Sequence, residues 1–347
     1  MFAKAQSKTD STFYTKATDL VIGGQITPTK NPYHRVDTAN YPGLSKAIKL
    51  LLTNSAGKFV SFSTNSKNIM AKWCVSNKKQ YPNLTPIANK GLDIYIKKNG
   101  KWQFAGAAGP NGLCTEAALV KDMDDSEKEC LVYLPIYDEA SNVEIGIDKS
   151  AAIKPMPDPF KKRILIYGSS VTQGAAASRP GMAYLARLSR ETGLNFLNLG
   201  LSGNGKMEPA AAVMVAGIDA DAYILDCVGN PSPQQIIERT NNMVLTIRKA
   251  HPKAPIIMME GTVREHGYFN QSIGKMVKQQ NINFEQQYKI LLQQGVTDLY
   301  LIKEADWLGT DHEGTIDGSH PNDLGFDRML HIIKPQIVAI LKKYGLN

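Results

Sequence analysis

No run in this 347-residue chain approaches the roughly 20 consecutive apolar residues of a membrane-spanning helix, which excludes a helical span. Cysteine is scarce. The four residues Cys74, Cys114, Cys130 and Cys227 form no C-x-x-C pair, so a thiolate zinc site has no support, and neither a metal nor another cofactor is expected. Spacing leaves a Cys114–Cys130 disulfide and free buried thiols both open. Clustered charge is also missing. The formal net charge is +8, yet the densest basic run is Lys161-Lys162-Arg163, without interleaved aromatics. That reads as a solvated basic surface and argues against a nucleic-acid partner. Internal repeats and low-complexity tracts are absent, which excludes solenoids and long disordered linkers. What remains is ordinary for a globular protein, at 43% hydrophobic and 21% charged residues. The length favours two domains.

The N-terminus lacks the apolar core of a signal peptide, but Ala3-Lys4-Ala5 before Gln6 resembles the small-residue site that ends one. Residues 1–18 are therefore expected to be a leader, either a signal remnant or a disordered polar segment. The first reading implies a secreted or periplasmic protein, with the cytoplasm left open.

Residues 19–152 carry strand periodicity. Lys58-Phe59-Val60-Ser61-Phe62-Ser63 alternates polar and apolar, as does Gly91-Leu92-Asp93-Ile94-Tyr95-Ile96. Asn99-Gly100 before Lys101-Trp102-Gln103-Phe104 predicts a tight hairpin. Glu129 to Pro135 and Val143 to Ile147 read as further strands, so the span is expected to be a jelly-roll-like β-sandwich. Residues 153–162 contain Pro155, Pro157 and Pro159 at alternate positions, which predicts an extended linker. Beyond it, residues 163–347 alternate strand-like runs, at 163–167, 195–199, 222–226, 255–259 and 298–302, with helical patterns. Met182, Leu185 and Leu188 share one helix face ahead of Gly193, Ser232-Pro233-Gln234-Gln235 is a capping box, and Leu324 to Leu341 is amphipathic. Such alternation predicts a parallel sheet in a three-layer α/β/α domain.

In an open parallel sheet, ligands bind at the carboxyl ends of the strands. Four polar segments fall there. Gly168-Ser169-Ser170-Val171-Thr172-Gln173-Gly174 follows the first α/β strand and brackets a serine with glycines in a strand-to-helix turn. Gly200 to Gly205 follows the second strand, and Gly229-Asn230 the third. Asp317-Gly318-Ser319-His320-Pro321 precedes the last helix. Ser170 is the candidate nucleophile, His320 the base that removes its proton, and Asp317 the group that orients the imidazole. The N–H groups of Ser170 and Gly203 and the amide of Asn230 are candidate oxyanion donors. Bland alternatives exist for each. Gly-Ser turns, Asn-Pro and Asp-Gly are ordinary turn chemistry. Asp311-His312 is a second acid–imidazole pair, but adjacent side chains point apart. Arg264 and His266 are read as substrate contacts, against a plain surface loop. Gly200 to Lys206 also fits a phosphate-binding G-x-x-x-x-G-K, with Asp226 as the metal-binding strand acid, but Met207 stands where a hydroxyl is needed.

The four blocks Gly168-x-Ser170-Val171-Thr172-x-Gly174, Ser202-Gly203, Gly229-Asn230 and Asp317-x-x-His320-Pro321 resemble, in order, those of the SGNH (GDSL-like) hydrolases. Two positions depart from that pattern. Ser169 stands where Asp is usual, and Pro231 follows Asn230 where Asp is common. Gly91-x-Asp93-Ile94-Tyr95 is similar to the G-x-D-L-Y signature of a β-sandwich fused to certain bacterial SGNH esterases, an architecture associated with polysaccharide deacetylation. The resemblance implies a flavodoxin-like sheet, no metal, an acyl-serine intermediate, and a bacterial esterase for acetyl or other short esters on a small molecule or polysaccharide. Longer-chain thioesterase or lysophospholipase activity, and a catalytically inactive carbohydrate-binding protein, are the alternatives. Trp102 and Tyr95 are candidate sugar platforms, with core packing the competing reading.

Overall fold

The computed structural model describes residues 12–77 and 79–347. The N-terminal region builds strands β1 (Thr12–Lys16), β2 (Val21–Gly23), β3 (Phe59–Thr64), β4 (Ile69–Val75), β5 (Leu92–Lys98), β6 (Lys101–Ala108), β7 (Cys114–Val120), β8 (Lys128–Tyr133), β9 (Ala140–Asp148) and β10 (Ile153–Pro155). Helices α1 (Lys46–Thr53) and α2 (Pro86–Lys90) interrupt them. One antiparallel sheet runs β1-β9-β4-β7, and a second runs β10-β3-β8-β5-β6 with β2 added on β3. Alternation puts Val60, Phe62, Ile94 and Val132 of one sheet and Ile69, Ala71, Trp73 and Ile145 of the other into a shared core. Trp73 is fully buried there, and its indole N–H donates to the Lys90 carbonyl at 2.8 Å.

The C-terminal region alternates β11 (Lys161–Gly168), α3 (Ser170–Gln173), α4 (Tyr184–Thr192), β12 (Leu194–Gly200), α5 (Pro209–Ala216), β13 (Ala222–Asp226), α6 (Pro233–Ala250), β14 (Ile256–Met259), α7 (Gln271–Gln293), β15 (Leu299–Ile302) and α8 (Asp323–Lys342). The parallel sheet is ordered β12-β11-β13-β14-β15, the flavodoxin-like arrangement. Side chains alternate between its faces. Ile164 and Ile166 meet α4 and α8, while Leu165 and Tyr167 meet α5, α6 and α7. The order reverses at β11, so the residues after Gly168 open onto the crevice where such sheets take ligands.

Four expectations need correction. Thr12–Lys16 pairs with Glu144–Asp148, so the leader does not extend to residue 18, and the Ala3-Lys4-Ala5 reading lies outside the described residues. The disulfide joins Cys74 to Cys114, not Cys114 to Cys130. Register decides this, because Cys74 and Cys114 stand opposite each other in the β4–β7 pair, while Cys130 is a buried free thiol on β8 of the other sheet. The proline-rich linker begins as a strand, with Ile153, Lys154 and Pro155 paired to β3 at a sheet edge, where proline is tolerated. Finally, the stretch expected to be all sandwich includes Ile26, Val36, Leu44, Ile48 and Leu52, whose side chains join the α/β core instead.

Candidate active site

β11 delivers the chain into a tight, glycine-bounded turn. A Cβ on Gly168 would lie 1.8 Å from Thr172 Oγ1, so glycine lets Thr172 fold back under the strand end. Thr172 Oγ1 accepts the Ser169 N–H at 3.0 Å, and Ser169 Oγ accepts the Val171 N–H at 3.2 Å. Ser169 is thus the N-cap of α3. Serine and aspartate serve equally well there, which accounts for the departure from the resembled pattern. Ser170 follows at the first helical position, 8% exposed, and Gly174 ends the turn at φ +109°.

Ser170 Oγ lies 2.9 Å from His320 Nε2. His320 Nδ1 lies 2.7 Å from Asp317 Oδ2. Asp317 Oδ1 accepts the backbone N–H groups of Ser319 and His320, at 3.0 and 2.8 Å. The loop is drawn tight by a bridge between Thr315 and Pro321 and by Ile316 N–H donating to the His320 carbonyl at 3.0 Å. Gly318 adopts φ +78°, and a Cβ there would meet His266 Nδ1 at 2.5 Å. Asp317 is pulled two ways. Burial would raise its pKa, but hydrogen bonds from the His320 backbone, the imidazole and the Asn83 amide hold it down to about 2.

Besides the Ser170 N–H, the candidate oxyanion donors Gly203 and Asn230 come from two neighbouring loops. Asn230 Oδ1 accepts the Gly205 N–H at 3.0 Å, which fixes the amide and leaves its Nδ2 without a protein acceptor among the described residues. Gln173 Oε1 accepts the Ser202 N–H at 3.0 Å and so ties the Gly203 loop to α3. Ser170, Gly203, Asn230 and His320 line one cavity of about 360 Å³, together with Thr262 and Arg264.

The remaining sequence candidates separate. Arg264 lines the cavity and also donates to the Gly229 carbonyl at 2.6 Å, steadying the loop that carries Asn230. His266 packs against Gly318 and does not line that cavity. Asp311 pairs with Arg328 at 2.6 Å and His312 with Glu265 at 2.8 Å, so the second acid–imidazole pair is split between partners. Asp226 is occupied as well. Its Oδ2 accepts the hydroxyls of Thr172 and Tyr184, each at 2.7 Å, which removes the strand acid from the phosphate-loop reading. Burial pushes its carboxyl up to about 6 against the pull of those hydroxyls. Tyr95 is 4% exposed and packs edge-on against Phe104 and Tyr133, a core residue and not a sugar platform. Trp102 is half-buried against the same cluster.

Three participants were not legible in the sequence. Asn83 Nδ2 donates to Asp317 Oδ2 at 2.9 Å from the N-terminal region, 234 residues away. Gln173 sat inside the serine motif, but its amide contacts depend on the tertiary fold. Asp226 reads from the sequence as the metal-binding acid of a phosphate loop, and only the fold brings it to the hydroxyls of Thr172 and Tyr184.

A serine hydroxyl against an imidazole, backed by a carboxylate and facing free amide donors, can attack a carbonyl and hold the resulting oxyanion. Residues 161–338 match the GDSL-like lipase/acylhydrolase family, and residues 12–153 match the GxDLY family, the N-terminus of SGNH-hydrolase-type esterases. A crystal structure from Bacteroides ovatus, assigned as a GDSL-like lipase, is 55% identical, covering 96% of this chain and 98% of its own at TM-score 0.94. A salicylyl-acyltransferase from a tetracycline biosynthetic pathway is 18% identical at TM-score 0.73, covering 95% of this chain and 97% of its own. An acetyl xylan esterase from the rumen bacterium Butyrivibrio proteoclasticus is 12% identical at TM-score 0.57, covering 96% and 99%. Comparison with curated protein sequences returned no match. The family match across the α/β region, and the 55% identity over nearly the whole chain, establish that this protein belongs to the GDSL-like lipase/acylhydrolase family.

Proposed function

We propose that the protein is a serine esterase that removes short acyl groups, acetyl foremost, from a carbohydrate alcohol. The observation that carries this reading is the unbroken relay from Ser170 Oγ through His320 to Asp317, at 2.9 and 2.7 Å, opening on the cavity that holds Asn230. Ser170 Oγ attacks the ester carbonyl carbon as His320 Nε2 takes its proton. Asp317 holds the imidazole with Nδ1 protonated and stabilises the imidazolium. The tetrahedral oxygen is received by the N–H groups of Ser170 and Gly203 and by Asn230 Nδ2. The imidazolium then gives its proton to the departing alcohol. Water, deprotonated by the same nitrogen, releases the acid and frees Ser170.

Acyl length is argued from the lining. Ser202, Gly203, Gly261, Thr262 and Ser319 are small and mostly polar, whereas a long acyl chain calls for a continuous apolar channel. The carbohydrate half draws on the acetyl xylan esterase of shared fold. The Cys74–Cys114 disulfide supports an oxidising compartment, in keeping with a secreted or periplasmic enzyme acting on polysaccharide. The test is an ester panel of p-nitrophenyl acetate, p-nitrophenyl decanoate and acetylated xylan, run with wild type and Ser170→Ala. Wild type is expected to prefer acetyl over decanoyl and to release acetate from xylan, while Ser170→Ala loses about 10⁴-fold or more in kcat with its fold intact. Activity retained by Ser170→Ala overturns the nucleophile assignment. A preference for decanoate turns the reading to a long-chain lipase.

A further inference from the structure

We infer that Asn83, on the β-sandwich side of the molecule, is a positioning residue of the acid–base pair and sets how readily His320 gives up its proton. The inference rests on the serine-esterase reading above. Its physical basis is the crowding around Asp317. Oδ1 accepts two backbone N–H groups, and Oδ2 accepts both His320 Nδ1–H at 2.7 Å and Asn83 Nδ2–H at 2.9 Å. Asn83 therefore competes with the imidazole for the same oxygen. Its Nδ2 also sits 3.3 Å from His320 Nδ1, so its amide hydrogens face a ring nitrogen that already carries a proton. Both effects disfavour the imidazolium. They keep His320 available as a base at lower pH than Asp317 alone would allow.

Asn83 is placed for this role and held there. Its loop joins β4 to α2 and is anchored on either side of it. Tyr81 packs edge-on against Tyr137 at 5.5 Å, and Leu84 is buried. Thr85 caps α2 by accepting the Ala88 N–H at 3.0 Å and donates to the Ser178 carbonyl at 2.6 Å, across to the α/β side. Other charged or titratable groups are near the pair. His266 lies beneath Gly318, Arg264 and Asp226 line the cavity with His320, and Lys79 and Tyr81 share the Asn83 loop. Among the described residues, no hydrogen bond links any of these five to Asp317 or to the His320 ring. Asn83 is the side chain from outside the loop that reaches the carboxylate.

The experiment compares wild type, Asn83→Ala and Asn83→Asp across a pH series with p-nitrophenyl acetate. Ser170→Ala serves as the control, and the His320 ring titration is followed by NMR, assigned with His320→Gln. For Asn83→Ala, the acid limb should move up by about half a pH unit, which lowers kcat/KM roughly threefold on the acid side and leaves the plateau in place. Asn83→Asp places a carboxylate beside Nδ1 and should move the limb up by about one unit or more, with the rate recovering above it. The ring titration should shift in the same direction in both variants. A purely structural Asn83 would lower the rate at every pH and leave both midpoints in place, which overturns the inference. Activity that survives in Ser170→Ala would instead sink the esterase reading. The NMR midpoints would still decide the role of Asn83, and Asn83→Ala decides it if Asn83→Asp does not fold.

Discussion

Asp317 and Asp226 stand on opposite sides of the ordinary carboxyl pKa of 3.8, the first held down to about 2 and the second pushed up to about 6. Their contributions to stability therefore run in opposite directions with pH. For Asp317 the folded pKa lies below the unfolded one. Its contribution is complete above about pH 4 and drains away as the pH falls toward 2. For Asp226 the folded protein keeps a proton that the unfolded chain has already released. Its contribution is greatest below about pH 4 and erodes as the pH rises through 6. Denaturant midpoints of Asp317→Asn and Asp226→Asn, measured against wild type, separate the two. The deficit of Asp317→Asn should shrink on acidification below pH 4. Asp226→Asn should flatten the loss of stability that wild type shows between about pH 4 and 7. Parallel curves for Asp226→Asn and wild type over that interval would remove the raised carboxyl. At this scale Ser170, Asp317, His320 and Asn230 stand out in the sequence as candidates because each sits in a glycine- or proline-marked loop. Asn83 bore no such mark. Tyr81-Pro82-Asn83 reads as an ordinary turn, and only the packing of Tyr81 and Thr85 aims its amide.

Elements were legible where periodicity was strong and both strand faces had a clear assignment. The parallel strands β11 to β15 carry apolar runs, broken in β12 by Asn195 and Asn198. The α6 capping box forms as expected, with Ser232 accepting the Gln235 N–H at 3.2 Å and Gln235 Oε1 accepting the Ser232 N–H at 3.0 Å. Strands β1, β2, β4, β7 and β10 escape that reading, and β4 among them is central in its sheet. β1 and β10 are short and largely polar, paired on one side only, so their sequences look like leader and linker. The disulfide was hidden for a related reason. Cysteine pairing follows strand register, and neither β4 nor β7 stands out as a strand in the sequence. This element carries its own prediction. The bond closes a 40-residue separation on the sheet away from the cavity, so Cys74→Ser with Cys114→Ser should cost about 2–4 kcal/mol in denaturant unfolding. Esterase turnover below the transition should be unchanged. Cys130→Ser, which places a hydroxyl in an apolar core, should destabilise to an extent independent of added reductant. A double mutant with wild-type stability would show that the cross-link contributes nothing.

The whole molecule behaves as one unit if its contacts are taken together. Arg35 is fully buried and donates to the carbonyls of Leu51, Asn198 and Gly200, at 2.6, 3.1 and 2.7 Å, pinning the N-terminal region to the end of β12. Gln173 Nε2, beside the Ser170 turn, donates to Asn54 Oδ1 and the Ile136 carbonyl, at 3.2 and 3.1 Å. Arg179 reaches Asp93 at 2.8 Å, and the Gly181 N–H donates to the same carboxylate. Ile48 and Leu52 of α1 are buried in the core that holds β11 and β12. The two layers of antiparallel sheet and the α/β sheet thus share apolar cores, backbone partners and one site. Neither part can open without exposing the other. Thermal unfolding should therefore be a single transition in calorimetry, with calorimetric and van't Hoff enthalpies agreeing. Arg35→Ala removes three buried hydrogen bonds to carbonyls and leaves a cavity between the two regions, and should cost about 3–5 kcal/mol. It should lower that one transition as a whole and leave it unsplit. If wild type melts in two steps and Arg35→Ala moves only one of them, the β-sandwich and α/β parts are independent, and the bond from Asn83 to Asp317 joins separate bodies.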